Sequence, residues 1–253
     1  MAFNNSKPTK QGAHGVARVI SKRGYCSRSQ AEKLVREGHV FLRGKPVRDP
    51  ESPAYENDEI LVDGVPVTAS EFVYFAMNKP RGIVTTASDE KGRKTVMDLF
   101  REQFAKMYPG KPMPHIAPVG RLDAASEGLL LFTNDTTWAD RVLTDPTHLK
   151  IYRVQVKGKP TATELSQMEK GFNVPPRVFG ESEEFMHAER VTLANEGEKN
   201  CWLEITLSEG KNREIRRMLA HLGYEVMRLI RIQFDKFTLD DLKSGEIKKL
   251  EPN

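Results

Sequence analysis

Residues 118–135 read PVGRLDAASEGLLLFTND and join a polar cluster to a dense apolar run. The apolar run, 129–132, is bounded by turn-forming residues on both sides, which is typical of a buried strand. We therefore expect Asp123 on a tight loop that leads directly into a core strand, a common way to present a functional carboxylate. The residues alone fit a second interpretation equally well, in which Asp123 caps a turn and Arg121 is its surface partner.

Length and composition bound the class of protein. The chain has 253 residues, 29% of them charged and 38% hydrophobic, which predicts a soluble globular protein with one good core and a small extra module. Its two cysteines, Cys26 and Cys201, form neither a disulfide framework nor a metal-ligand spacing. The first 11 residues are polar, so no secretory leader is expected, and no apolar run approaches the roughly 18 residues needed to span a membrane. We expect a cytoplasmic protein without a structural metal.

Positive charge is concentrated near the N-terminus. The whole chain carries a formal charge of +4, but residues 13–50 alone hold nine basic and three acidic residues, a net +6. Such a patch on a compact unit favours a polyanionic partner. The alternative is a generic small domain with a solvated basic face.

The first 70 residues predict a small α+β module behind a polar tail. Residues 1–12 have almost no apolar content and are expected to be disordered. A first helix is predicted around residues 16–22, and Ser27 with Gln30 forms a capping box for a second. Short strands are predicted at 40–42 and 60–64, with a turn at 43–46.

A larger set of elements is predicted from residue 72 onward. Strands are expected at 72–77 and 83–86 around a turn at 78–82, and a pair of strands is expected between 172 and 193, around an acidic loop at 181–184. Further strands are expected at 148–156, 202–207 and 227–232. Helices are expected at 96–106, 136–143, 163–170 and around 215–222, followed by a terminal turn at 239–246.

Lys150 and Tyr152 lie two residues apart on a strongly alternating strand, so they share one face with Val154 and Val156. On the residues alone, Tyr152 is more often a core tyrosine with a satisfied hydroxyl than a site residue.

Five motifs in order across the chain resemble one family. GYCSRSQAE and the helices around it resemble the S4 RNA-binding domain. NKPRG at 78–82, GRLD at 120–123, Lys-x-Tyr-x-Val at 150–154 and EGKNREIRRM at 209–218 are similar to motifs of the pseudouridine synthases. The combination resembles the bacterial RsuA-like family of ribosomal RNA pseudouridine synthases with an N-terminal S4 domain. Ser126 stands where many members carry threonine.

The resemblance implies an α+β fold with a small N-terminal S4 domain and a mixed, mainly antiparallel-sheet catalytic domain. The implied boundaries are a disordered tail at 1–12, an S4 domain at 13–66, a linker at 67–71 and a catalytic domain at 72–253.

The implied reaction converts a uridine in RNA to pseudouridine. Asp123 would be the essential catalyst, Tyr152 would stack on the uracil, and Arg216 would keep the carboxylate ionised as its charged partner. Because the base cannot react inside a helical stack, it must be flipped out. No cofactor and no metal are implied.

The resemblance and the charge pattern also predict residues that bind RNA. In the catalytic region these are Arg121, Lys150, Lys79, Lys211, Arg213 and Arg217. In the N-terminal module they are Arg18, Arg28 and Arg36.

The expected partner is ribosomal RNA, with the large subunit favoured weakly, and the protein is expected to act as a monomer. One alternative is a non-catalytic S4-type RNA-binding or ribosome-assembly factor. Another is an N-glycosylase or glycoside hydrolase that uses Asp123 with Glu127, since paired carboxylates roughly 5–9 Å apart perform that chemistry. Pseudouridine, unchanged RNA and released base are the products that separate the three hypotheses.

Overall fold

The computed structural model describes residues 12–86, 89, 92–176 and 182–251. The tail expected at 1–12 lies outside these residues except for Gly12, as does Glu181 of the acidic loop. The chain divides into two compact units. The first takes in the described residues up to Val73 with Pro114–Ile116 and Asn134–Thr136, and the second takes in the remainder.

The first unit contains two helices packed on short strands. Its elements are β1 (His14–Gly15), α1 (Val16–Lys22), α2 (Arg28–Glu37), β2 (Val40–Leu42), β3 (Lys45–Val47), β4 (Pro53–Ala54), β5 (Ile60–Val62) and β6 (Val65–Pro66). The predicted capping box of α2 is confirmed, since Gln30 N–H donates to Ser27 Oγ at 3.2 Å and Ser27 N–H donates to Gln30 Oε1 at 3.0 Å. The apolar faces of both helices and of β2 and β5 form one buried core.

The turn predicted at 43–46 is shorter than expected. Arg43 and Gly44 both have positive φ, 51° and 73°, so they form a two-residue hairpin whose twist matches that of the strands. Lys45 and Pro46 belong to β3, which pairs with β2 at the edge of a sheet ordered β3-β2-β5-β6. Proline is tolerated there because an edge strand does not need every N–H.

From Tyr74 onward the described elements alternate between long strands and short helices. They are β7 (Tyr74–Lys79), α3 (Val96–Met107), β8 (Ala117–Val119), β9 (Glu127–Thr133), α4 (Thr136–Thr144), β10 (Lys150–Lys157), α5 (Ala162–Lys170), β11 (Phe172–Val174), β12 (Glu184–Met186), β13 (Arg190–Glu196), β14 (Asn200–Leu207), α6 (Glu214–His221), β15 (Glu225–Phe234), β16 (Phe237–Thr238) and β17 (Ile247–Leu250).

One mixed sheet organises this part of the chain. Its order among the described strands is β13-β14-β10-β15-β9-β7-β17, with β16 beside β15 and β8 beside β9. The pairing of β9 with β15 is parallel and registers Gly128 with Arg231, whereas the other strand pairs of this sheet are antiparallel. The predicted α+β class with a mixed, mainly antiparallel sheet is confirmed.

The apolar run of β9 is buried because both faces of the sheet are covered at that point. On one face Phe132 packs against Phe100 of α3, with ring centroids 5.0 Å apart. On the other face Leu129 and Leu131 share a core cluster with Trp138 of α4. A strand covered on both faces carries a continuous apolar sequence, so the predicted core strand is confirmed.

Three of the differences from the predicted elements have identifiable causes or consequences for the sheet. Residues 83–86 do not form the predicted strand. Val84 makes a single β-bridge with Thr95, because α3 begins at Val96, the residue after Thr95. Strand β7 runs on to Lys79, because β9 supplies partners as far as Gly128. Residues 172–193 contribute three strands, where two were predicted.

Candidate active site

A cleft of about 470 Å³ lies in the second unit, beside the loop between β8 and β9. That loop provides the lining residues 120–123 and 126, and the turn into α6 provides 210–215. The side chains of β10 and β15 contribute Lys150, Tyr152, Leu229 and Arg231. The cleft therefore combines three of the sequence motifs that are far apart in the chain.

Asp123 lines this cleft and forms an ion pair with Arg213. The distance from Arg213 Nη1 to Asp123 Oδ2 is 3.0 Å, and the two side chains are 38% and 35% exposed. Arg213 has a φ of 53° in the left-handed region, immediately before α6 begins. A charged hydrogen bond of this length orients the carboxylate.

Arg216 occupies a different place from the one expected. Its Nη2 donates to the carbonyl of Ala125 at 3.1 Å and its Nη1 to the carbonyl of Val226 at 3.2 Å. Burial lowers the pKa of Arg216, and the nearby charge of Arg213 lowers it further while Asp123 opposes the shift. The structure thus pairs Asp123 with Arg213, because the left-handed turn before α6 directs residue 213 to the carboxylate and residue 216 to the loop backbone.

Lys79 was expected to bind RNA, but its side chain is fully buried. Its Nζ donates to three carbonyls, those of Pro80 at 3.0 Å, Asp123 at 3.1 Å and Ser126 at 2.8 Å. Burial lowers the pKa of Lys79 to about 8, against the attraction of Asp123 and Glu127. Lys79 therefore stabilises the backbone of the Asp123 loop, and its buried ammonium cannot contact a phosphate.

The backbone of this loop is hydrogen-bonded at five consecutive carbonyls, 122–126. The donors are Thr85 Oγ1 to Leu122 at 2.7 Å, Lys79 to Asp123, Gly82 N–H to Ala124 at 2.6 Å, Arg216 to Ala125, and Lys79 again to Ser126. Each bond restricts the loop on which the carboxylate sits, so Asp123 is presented by a rigid backbone.

Gly128 allows β9 to approach β15 closely at the end of the loop. A Cβ on this residue would lie 2.3 Å from the carbonyl oxygen of Arg231, and its φ of +100° is in the region that favours glycine. The parallel pairing that brings Arg231 to the cleft therefore depends on this position lacking a side chain.

Tyr152 and Lys150 lie on the inward face of β10, as the alternation predicts, since residues 150, 152, 154 and 156 are all buried. Tyr152 is 8% exposed and lines the cleft. Lys150, which was expected to bind substrate or RNA, lines the cleft and is only 5% exposed. Its Nζ donates to the carbonyl of Ser208 at 3.2 Å and lies 5.2 Å from the ring centroid of Phe234.

Two charged cleft residues were missed by the sequence reasoning. Arg231 and Glu214 each have 3% exposure and line the cleft beside Tyr152 and Arg213. The strand alternation offered a signal for Arg231, but it shows which face is inward only when the neighbouring strand is known. Glu214 gave no signal beyond its place in an arginine-rich motif.

The other predicted RNA-binding residues of this unit differ in their surroundings. Arg217 pairs with Glu184 at 2.5 Å and donates to the carbonyl of Pro175 at 3.1 Å, so it links α6 to the paired strands β11 and β12. The expectation that Arg217 faces RNA therefore disagrees with its contacts. Lys211 lines the cleft and pairs with Glu209 at 2.7 Å, and Arg121 is an exposed cleft residue.

In the first unit, Arg18, Arg28 and Arg36 are all exposed, as expected. Arg28 and Arg36 both pair with Glu32, at 3.2 and 3.3 Å, which neutralises part of the predicted basic face. Surface pairs of this kind are weak, so the two arginines can exchange their partner for phosphate.

In the described part of the chain, no group of three His, Cys, Asp or Glu side chains is arranged to hold a metal ion. No helix in the same residues has both the length and the apolar character needed to cross a bilayer.

Comparison with known proteins identifies both units. Residues 73–221 match the family described as RNA pseudouridylate synthase, and residues 16–60 match the S4 domain. The ribosomal large subunit pseudouridine synthase B of Bacillus subtilis is 33% identical over 237 residues, covering 93% of this chain and 91% of that protein. An uncharacterised RNA pseudouridine synthase of Rickettsia conorii is 35% identical, covering 94% and 96%.

A solved structure agrees with these relatives. The crystal structure of a pseudouridylate synthase matches with a TM-score of 0.60 and 28% identity, covering 94% of this chain and 96% of that one. The likeness thus extends over both units. The cleft that collects the GRLD, Lys-x-Tyr-x-Val and arginine-rich motifs belongs to a chain that is a member of the RNA pseudouridylate synthase family and carries an N-terminal S4 domain.

Proposed function

We propose that this enzyme isomerises a specific uridine of ribosomal RNA, with Asp123 as the essential catalytic residue. The observation that carries the proposal is the presentation of the Asp123 carboxylate. It lies in a cleft beside Tyr152, pairs with Arg213 at 3.0 Å, and stands on a loop whose five consecutive carbonyls are hydrogen-bonded. Such rigid positioning is what a reacting carboxylate requires.

The chemistry needs only the base, the sugar and a carboxylate. The N1–C1′ bond breaks, the uracil rotates, and C5 bonds to C1′. C5 then loses its proton while N1 gains one, so atoms and electrons balance without a redox partner. Asp123 can serve this sequence by adding to the base at C6, by adding to the sugar at C1′, or as a base at C2′. The ring of Tyr152 would stack on the uracil once the nucleotide is flipped into the cleft.

A large-subunit ribosomal RNA is the favoured substrate. The Bacillus subtilis relative is named for the large ribosomal subunit, and the two proteins align over nearly their whole lengths. The S4 match at 16–60 and the +6 segment at 13–50 support a second RNA contact outside the cleft. Binding of this kind is electrostatic and falls with salt.

The proposed division of labour assigns residues 13–66 to RNA binding and 72–253 to catalysis, in a monomer. Residues 67–71 would link them. The side chain of Asn134 accepts a hydrogen bond from Val73 N–H at 2.8 Å and donates to the carbonyl of Glu71 at 3.0 Å. The end of the proposed linker is therefore tied down by a buried amide.

The two alternatives have less support. A non-catalytic S4 factor does not need Asp123 held in a cleft, and the family match covers the catalytic unit. A glycosidase would need Glu127 as its second carboxylate. Both Glu127 oxygens accept hydrogen bonds from Arg228, at 3.1 and 2.8 Å, and Glu127 is absent from the described lining of the cleft.

The test uses ribosomal RNA labelled with tritium at C5 of uridine, transcribed without modification. The wild-type chain should release tritium and form pseudouridine at one position, mapped by carbodiimide primer extension. Asp123→Asn should lower the rate at least a thousandfold, about 4 kcal/mol of barrier, with RNA affinity unchanged within a few-fold. Asp140→Asn, an exposed acid on α4, is the matched control. Turnover by Asp123→Asn within tenfold of wild type would refute the assignment.

A further inference from the structure

Three charged residues lie buried at the inner wall of the cleft, where the proposed reaction has assigned them no part. Lys150, Glu214 and Arg231 are 5%, 3% and 3% exposed, and all three line the cleft. Charged side chains are almost never buried to this degree unless they are paired. The hydrogen-bond partners of each one therefore show what remains available to a ligand.

Arg231 has a donor without a partner. Its Nε donates to the carbonyl of Leu129 at 2.8 Å and its guanidinium lies 4.9 Å from the ring centroid of Phe234. Its Nη2 is buried and has no hydrogen-bond partner among the described residues. Tyr152 is the direct cross-strand neighbour of Arg231. Paired residues project from the same face of a sheet, so this donor lies beside the aromatic ring.

Glu214 has an acceptor without a partner. Its Oε2 accepts from the backbone N–H of Lys211 at 3.1 Å, which fixes the carboxylate at the start of α6. Its Oε1 is buried and, within the described part of the chain, unpaired. Burial raises the pKa of Glu214, opposed by that hydrogen bond and by the charge of Lys211. The residue before it, Arg213, is the one that holds Asp123.

Leaving two buried polar atoms unpaired costs stability, and native proteins rarely do so without a functional reason. Both residues line the cleft, so its wall holds one unpaired donor and one unpaired acceptor. The uracil edge presents the complement, with an N3–H donor between the O2 and O4 acceptors. Cytosine has an acceptor at N3 and an amino donor at C4, so it meets Glu214 with an acceptor against an acceptor.

We propose that Glu214 and Arg231 read the flipped base, with Glu214 Oε1 accepting the N3–H of uracil and Arg231 Nη2 donating to one of its carbonyl oxygens. This inference rests on the proposed function. Lys150 lies at the same wall; burial lowers its pKa and the charge of Arg231 lowers it further, while Glu214 opposes the shift. The two residues select uracil over cytosine, and Asp123 carries the chemistry.

The contact of Arg231 is tested by measuring each protein variant on each base analogue. The RNA carries uridine, 2-thiouridine or 4-thiouridine at the mapped target, since sulfur is a poorer acceptor than oxygen. Single-turnover rates are measured for the full-length wild type, Arg231→Lys and Arg228→Lys, a matched control on the same strand. For the wild type and Arg228→Lys, one of the two thio substitutions should lower the rate about tenfold or more relative to uridine RNA. For Arg231→Lys, the same substitution should leave the rate equal to that variant's own rate on uridine RNA.

The Glu214 arm measures base discrimination in binding. Dissociation constants for RNAs with uridine or cytidine at the target are compared in an Asp123→Asn background, which prevents turnover. Glu214→Gln should reduce the preference for uridine about tenfold, because an amide can present either a donor or an acceptor. Glu209→Gln removes the same charge from an exposed neighbour and should leave the preference unchanged.

Two results would overturn the inference. One is equal slowing of uridine and thiouridine RNAs by Arg231→Lys, the pattern of a merely structural residue. The other is a uridine-to-cytidine preference that Glu214→Gln does not alter. If a variant fails to fold, the wild type alone still decides, since insensitivity to both thio analogues refutes the Arg231 contact. The proposed function fails separately, if the wild type releases no tritium from uridine RNA.

Discussion

Replacing Lys79 by methionine tests whether a buried lysine positions the Asp123 loop. The substitution keeps most of the unbranched side chain and removes the terminal ammonium with its three N–H donors. In the wild type, Lys79 Nζ donates to the carbonyls of Pro80, Asp123 and Ser126 at 2.8 to 3.1 Å, and the substitution leaves these carbonyls without that donor. The loop should relax around Asp123, and the carboxylate should lose its fixed place relative to Tyr152.

The size of the effect follows from two opposing contributions. Hydrogen bonds from a charged donor contribute about 1.5–3 kcal/mol each, so three of them are worth roughly 4–9 kcal/mol. The pKa of Lys79, lowered from 10.5 to about 8 mainly by burial, corresponds to a net cost of about 3 kcal/mol for keeping the ammonium charged, and the substitution removes this cost. The balance is a destabilisation of about 3 kcal/mol, which lowers Tm by roughly 6–12 °C in a chain of this size. A loop shift of about 1 Å can lower kcat about a hundredfold.

The assay compares kcat, RNA affinity and Tm for Lys79→Met and Lys94→Met. Lys94 is an exposed control whose Nζ pairs with Glu102 at 2.9 Å. Because Lys79 is fully buried, its loss should leave the Kd for RNA and its salt dependence unchanged within about twofold. Weaker binding with a salt slope reduced by about one, at normal kcat, would mean that Lys79 contacts a phosphate and that the positioning argument is wrong.

Three further predictions concern other parts of the chain. Turnover should fall as pH rises through about 8, because neutral Lys79 has only two N–H donors for three carbonyls, and Lys79→Met should lack this limb. Gly128→Ala should lower Tm by more than 6 °C in thermal melts, since its Cβ would lie 2.3 Å from the Arg231 carbonyl; an unchanged Tm would contradict the close approach. Arg18→Ala should reduce the salt slope of RNA binding by about one in titrations from 50 to 200 mM salt, and by more than Arg28→Ala, whose charge is already shared with acids.

Local patterns in the sequence were sufficient for the family, the fold class and the main elements. The capping box of α2 depends on contacts between residues three apart. The core strand β9 shows the continuous apolar sequence of a strand covered on both faces. Both features can be predicted from residues that are close together in the sequence. The GRLD loop was expected beside a strand for the same reason, and it lies there.

Only the tertiary structure decided which charges face the cleft and which hold the backbone. Lys79 and Arg217 were both expected on RNA, yet each is enclosed by carbonyls or a carboxylate supplied by distant segments. A lysine or arginine looks the same in sequence whether it meets water or a buried carbonyl, because its environment is built by residues far away in the chain.

The partner of Asp123 shows the same limit at a single residue. Arg213 and Arg216 lie within one motif, and their spacing did not show which of them reaches the carboxylate. The left-handed backbone at Arg213 and the parallel pairing of β9 with β15 set that choice. The sequence alone determined that a carboxylate, a tyrosine and arginines belong to one site. Their geometry came from strand register and helix entry, which depend on the packing of the whole sheet.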